Sequence, residues 1–328
     1  MIWGNELIEF ALPSANLLQF PERNTPLPPS PFQNEFLTQS YNFFMKSSTP
    51  MTIAIVYFSF VHFINPHIRN RQIALAKEKK LNNNRLPAAP FAIAKTSIFN
   101  FLVLVHNVFL CVYSAWTFIG MCYTMKNTSH FFKTENIPQL DRVSRLVQSV
   151  CDLDQGIFAD DLPWSNLHFY GYWFYLSKFY EVLDTIIILL KGRPSSLLQS
   201  YHHAGAMMCM WAGIRYRSPP IWIFVVFNSF IHTLMYFYFS LSCLKFRVPT
   251  IFKRILTTMQ ITQFIVGGSI AVVHAFLKYT DFATGTKKHC IESSTRALPL
   301  YVNVAYLAPL TALFAAFYVE SYLKRSKK

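Results

Sequence analysis

Seven stretches of about 20 mostly apolar residues run through this chain, the length an α-helix needs to cross the hydrocarbon core of a bilayer. They fall at 47–65, 97–123, 168–190, 199–217, 221–244, 255–277 and 298–322. The first is comparatively short in apolar residues, and the fourth opens with two histidines. The pattern predicts an all-α, polytopic membrane protein with seven transmembrane helices. Pro66, Pro219, Pro220 and Pro249 are expected just outside helix ends, where a proline stops a helix at little cost. Composition points the same way: of 328 residues, 52% are hydrophobic, 17% aromatic and 14% charged. Soluble domains carry about a quarter charged residues. A soluble cytosolic enzyme and a disordered chain are both excluded.

The net charge of +14 is not gathered on a soluble module, so nucleic acid is not an expected partner. The Lys and Arg lie between the apolar stretches, where their distribution sets orientation. Loops 66–96, 191–198 and 245–254 and the C-terminal tail hold 17 of them, against 12 on the opposite side. That opposite side includes the acidic loop 124–167. The basic side is expected in the cytosol with the C-terminus, and the N-terminus on the lumenal side. Residues 1–46 read as a lumenal segment with a Pro-rich linker, 47–322 as the helical domain and 323–328 as a basic tail. The N-terminus opens with Glu6 and Glu9 and has no basic n-region, so no cleaved signal peptide is expected. Asn127-Thr128-Ser129 is a glycosylation sequon on the lumenal side. The six Cys form no CxxC pair. Cys151 and Cys290 fall in the two long lumenal loops, where an oxidising compartment favours a disulfide; the other reading is two free thiols.

Ionisable residues inside a bilayer are costly and face a cavity or a partner. In the third stretch, Lys178, Glu181, Asp184 and Thr185 recur at intervals of one helical turn and cover one arc. They serve equally as a salt-bridge network or as the wall of a polar chamber. Gln199, His202 and His203 open the fourth stretch and share a face. In the fifth, Asn228, His232, Met235 and Tyr236 do the same. Thr257, Gln260 and Gln263 recur every three residues in the sixth, where amides also serve as interhelical glue. Four polar stripes on four successive helices imply a shared chamber.

A neutral imidazole acts as base, nucleophile or metal ligand. The chain has no GxSxG elbow, catalytic Cys motif or Gly-rich phosphate loop. A di-iron desaturase or hydroxylase needs many His and carboxylate ligands, and the other seven His form no second box, so no metal is expected. A seven-helix transporter or receptor shares the helix count but needs no such chamber.

Four motifs in order carry a resemblance over residues 97 to 322: Lys178-x-x-Glu181-x-x-Asp184-Thr185, Gln199-x-x-His202-His203, Asn228-x-x-x-His232-x-x-Met235-Tyr236 and Thr257-x-x-Gln260-x-x-Gln263-Phe264. They resemble the ELO family of very-long-chain fatty acid elongases, the membrane 3-ketoacyl-CoA synthases. The surrounding sequence is most similar to fungal and algal members. The departure is Gln199, which stands where the commoner histidine box has its first His.

The resemblance implies seven helices around an acyl-chain tunnel, in the endoplasmic reticulum membrane. It implies condensation of acyl-CoA with malonyl-CoA to 3-ketoacyl-CoA, CO2 and CoA, with no bound cofactor. His202 is the implied acyl acceptor, forming an acyl-imidazole, and His232 its partner. His203 and Gln199 orient the imidazoles, and Asn228 and Tyr236 polarise the thioester carbonyl. Lys178, Glu181 and Asp184 hold the site, with Thr185, Met235, Gln260 and Gln263 in support. Lys191, Arg193, Lys253 and Arg254 lie where CoA phosphates are expected, although positive-inside topology alone also explains them. Implied partners are membrane lipid, the ketoacyl-CoA reductase, dehydratase and enoyl reductase of the cycle, and a second copy in a homodimer.

Overall fold

A computed structural model of the chain describes residues 3–4, 7–22, 24–81, 86–134, 141–159, 166–282 and 284–323. The tail at 324–328 and the loop acids Glu135, Asp160 and Asp161 lie outside the described residues.

The structure is mostly helical. In chain order the helices are α1 (Glu35–Met45), α2 (Ser48–Glu78), α3 (Ser97–Thr134), α4 (Arg142–Cys151), α5 (Leu167–Tyr180), α6 (Val182–Leu190), α7 (Leu197–Arg215), α8 (Ile221–Cys243), α9 (Thr250–Val273) and α10 (Ser294–Tyr318). Side-chain caps fix several starts. Asn34, Asp141, Asn166, Ser196 and Ser293 each accept the backbone N–H three residues on, the usual way to satisfy an orphaned helix donor.

Five helices, α2, α3, α8, α9 and α10, are long and apolar enough to cross a membrane. Only 22% to 39% of each apolar window is buried against the rest of the protein. Apolar faces left outward in this way suit a lipid surround. The third and fourth expected spans differ. α5 and α6 form one run tightened at Glu181, where Asp184 N–H donates to Glu181 O at 3.1 Å, a three-residue bond. α7 is less apolar because its own sequence holds Gln199, His202 and His203.

α3 lies along α8, α2 along α7, and α9 between α8 and α10; α10 and α5 also contact α7. A core of aromatic residues on α5 (Phe169, Tyr172, Phe174, Tyr175) receives Phe32, Tyr41 and Met45 from the N-terminal segment. The Tyr41 hydroxyl lies 2.7 Å from His168 Nε2, and Trp211 Nε1 donates to Met45 O at 2.9 Å.

Three expectations are corrected. Pro66 does not end a helix; α2 runs through it. Tertiary contacts hold the helix on both sides of the proline: before it, the Asn65 side chain pairs with both backbone groups of Ser195 at 2.9 Å, and beyond it Gln72 Nε2 donates to Gly192 O at 3.0 Å. α3 continues to Thr134, into the segment expected as a loop. There the hydroxyls of Thr124 and Thr128 donate to carbonyls one turn back at 3.0 and 2.9 Å, satisfying their polarity inside the helix. Asn127 therefore sits on a helix.

The chain is also not all-α. Four short strands, β1 (Trp3–Gly4), β2 (Ile8–Phe10), β3 (Leu277–Asp281) and β4 (Thr286–His289), form an antiparallel sheet in that order. They are too short for an alternating pattern to stand out. Next to β4, Cys290 is joined by a disulfide to Cys151 at the end of α4. Gln148 Nε2 adds a bond to Thr280 O at 2.9 Å, so helix and sheet are tied covalently and by hydrogen bonding.

Candidate active site

The run through α5 and α6 carries a buried ion pair. Lys178 Nζ donates to Glu181 Oε1 at 2.7 Å and to Asn228 Oδ1, on α8, at 3.1 Å. Ser177 Oγ adds a third bond, to Glu181 Oε1 at 3.0 Å. The side chains of Lys178 and Glu181 are only 3% and 2% exposed. A buried ammonium and carboxylate persist only when paired this closely. One turn on, Asp184 accepts from Tyr236 Oη at 2.6 Å and meets His106 Nε2 at 2.9 Å. The Thr185 hydroxyl lies 2.8 Å from that of Tyr57.

α7 presents its stripe to the same space. Gln199 Nε2 donates to His203 Nε2 at 2.9 Å. His202 faces α10, where the Tyr306 hydroxyl donates to the His202 carbonyl at 2.9 Å and lies 3.0 Å from His202 Nδ1. The ring centroids of His202 and His203 are 5.3 Å apart, and those of His202 and His232 are 6.4 Å apart. The three imidazoles thus come from two helices to one place.

His202, Lys178, Asn228 and Gln263 line a cavity whose other walls are mainly apolar, including Phe224, Phe227, Phe264, Leu307 and Leu310. Phe224 and Asn303 also line a second, smaller cavity near Ile221 and Pro299. Among the described residues no three His, Cys, Asp or Glu side chains gather as metal ligands.

The pattern described as ELO: GNS1/SUR4 family matches residues 42–328. The chain belongs to the ELO family. Fatty acid elongase 2 of Trypanosoma brucei brucei is 31% identical over 187 residues, 56% of this chain and 65% of that protein. Fatty acid elongase A of Dictyostelium discoideum is 30% identical over 223 residues, 67% and 72% of the two chains. A putative fatty acid elongase 2 of Schizosaccharomyces pombe is 31% identical over 172 residues, 51% and 46%. No solved structure matches the chain.

The four motifs of this ELO protein do converge. In the last of them, Gln263 and Phe264 reach the cavity, Gln260 Nε2 donates to Met235 Sδ at 3.6 Å, and Thr257 is buried. The four basic residues expected at the CoA phosphates do not line the cavity. Lys191 and Arg193 lie on the turn between α6 and α7, the first half-buried and the second exposed. Lys253 stands 5.7 Å from the Tyr238 ring, and Arg254 Nε donates to Tyr318 Oη at 2.6 Å. Sequence reasoning missed His106, Tyr57 and Tyr306. His106 lies within an apolar stretch, and that was the only available signal; nothing distinguished the two tyrosines.

Proposed function

We propose that this ELO protein is a 3-ketoacyl-CoA synthase that condenses a long-chain acyl-CoA with malonyl-CoA, using His202 as acyl acceptor. The observation that carries the reading is the position of His202, where the polar motif residues meet an apolar cavity. His202 attacks the thioester carbonyl through its bare nitrogen, and CoA leaves as the thiolate, taking up the proton that the acylated ring gives up. Malonyl-CoA then loses CO2, and its enolate attacks the acyl-imidazole, giving the 3-ketoacyl-CoA two carbons longer and an imidazole that regains its proton from water. A neutral imidazole is both a nucleophile and, once acylated, a good leaving group.

Asn228 is the donor that suits the developing oxyanion. Its Oδ1 is occupied by Lys178, which leaves the amide N–H groups for substrate. Tyr236 spends its one hydroxyl proton on Asp184, so of the two residues expected to polarise the carbonyl this reading uses Asn228. Lipid surrounds the five apolar helices in this reading, and the α5–α6 run and α7 make two further crossings in an endoplasmic reticulum membrane.

Purified protein incubated with labelled malonyl-CoA and a panel of acyl-CoAs tests the reading. Labelled 3-ketoacyl-CoA is expected with at least one chain length, and none with any would sink it. His202→Ala is expected to abolish product while leaving folded protein, and His232→Ala to lose nearly as much. An acyl group found by mass spectrometry on another residue would reject the covalent assignment.

A further inference from the structure

We propose that Tyr306 is a positioning residue that fixes His202 as the tautomer with its proton on Nδ1, presenting the Nε2 lone pair to the cavity. The inference rests on His202 as acyl acceptor, and it concerns a residue outside all four motifs.

The argument is a count of protons. A phenol has one. The Tyr306 hydroxyl donates it to the His202 carbonyl at 2.9 Å, an oxygen that only accepts. Towards His202 Nδ1, 3.0 Å away, the phenol oxygen is therefore the acceptor, and Nδ1 must carry hydrogen. A neutral imidazole has one ring proton, so Nε2 is bare. The reverse arrangement, with the phenol donating to Nδ1, would leave two oxygens 2.9 Å apart with no proton between them. It would also engage the lone pair of Nδ1 and protonate Nε2, leaving no free nucleophilic nitrogen.

The ring is seated to hold this geometry. Gly205 lies one turn after His202 on α7, and a Cβ there would sit 2.2 Å from Tyr306 Cε2. Only glycine lets the phenol lie this close to the helix. Tyr201 stacks on Tyr306 with ring centroids 5.5 Å apart, and its hydroxyl donates to the Tyr306 carbonyl at 3.3 Å. Three residues of α7 thus orient one side chain of α10. Fixing which imidazole nitrogen holds the proton is what the third member of a nucleophile–base–orienter set does elsewhere.

The test uses Tyr306→Phe, which keeps the ring over Gly205 and removes both hydroxyl contacts. Two measurements are made on full-length protein in detergent. The first follows acylation of His202 by acyl-CoA in the absence of malonyl-CoA, by mass spectrometry. Acylation is expected to slow by roughly 10- to 100-fold, the range seen when the partner that orients a metal-bound histidine is removed, while acyl-CoA KM holds. The second is the 15N spectrum of histidine-labelled protein. His202 is expected as the Nδ1–H tautomer in the wild type and shifted towards Nε2–H in the variant. An Nε2–H tautomer in the wild type, or acylation at the wild-type rate in Tyr306→Phe, overturns the proposal. Failure of wild-type His202 to acquire any acyl group instead removes the acyl-acceptor reading beneath it. The two failures are therefore distinguishable. Gly205→Ala, which retains the phenol but displaces its ring, is expected to reproduce the slowed acylation.

Discussion

His232 Nδ1 lies 3.6 Å from Glu181 Oε1, the same oxygen that accepts from the Lys178 ammonium at 2.7 Å. One buried carboxylate oxygen thus links the α5–α6 run to the histidine of α8, and Lys178 extends the link to Asn228. Glu181 Oε2 is buried with no hydrogen-bond partner among the described residues. All of the anchoring therefore depends on a single oxygen.

Breaking that pair from one side should be severe. Lys178→Met or Glu181→Leu alone leaves an uncompensated buried charge and is expected to cost about 3–5 kcal/mol. The double variant removes both charges and is expected to recover most of that stability, while making no product. Unfolding curves in detergent give the comparison. A double variant no more stable than either single one would show that the pair is not coupled.

Gln199 holds His203 through one bond, from its amide to Nε2. Gln199→His supplies another ring nitrogen and is expected to keep a substantial part of the turnover. Gln199→Ala leaves the buried His203 nitrogen without that partner, a loss of about 1–3 kcal/mol, and is expected to be the less active. Initial rates at saturating malonyl-CoA would show the ranking, and the opposite order would contradict a supporting role.

Phe224 stands between two cavities, one lined by His202 and the other by Ile221 and Pro299. Phe224→Ala is expected to join them and move the product distribution to longer acyl chains. It should also destabilise the protein, by less than the ~3–5 kcal/mol of a fully buried Phe→Ala change, because Phe224 is half-buried and already borders open space. Chromatography of products from mixed acyl-CoAs gives the answer. An unchanged chain-length profile would remove Phe224 as a determinant.

The Cys151–Cys290 bridge closes a loop with a sequence separation of 139. In the chain-entropy account such a loop contributes up to about 4–5 kcal/mol, an upper figure in a chain already restrained by a membrane. Cys151→Ser with Cys290→Ser is expected to unfold at a lower temperature and to retain most activity below it, because the bridge joins α4 to the sheet and touches no motif residue. Peptide mapping without reductant should recover the two cysteines as one linked pair. Separately alkylated thiols would refute the bridge.

The sequence by itself determined the membrane class, most helix positions and which polar residues face inward. These properties are local: a run of apolar residues gives a helix its lipid face, and spacing of three or four gathers side chains on one arc. The same locality explains what the sequence obscured. Gln199, His202 and His203 mark the site and simultaneously lower the apolar character of α7, so the strongest functional signal weakens the structural one. Pro66 read as a stop because nothing nearby in sequence shows that Ser195 and Gly192 hold α2 on either side of it.

Tertiary structure alone decided the pairings between elements. His202 meets Tyr306 across 104 positions and Asp184 meets His106 across 78. β2 pairs with β3 from the opposite end of the chain. Which residue a side chain reaches on another helix depends on the rotation and crossing of both helices. That is fixed by packing, such as the Tyr306 ring lying against Gly205. A residue's own neighbours in sequence carry no trace of it.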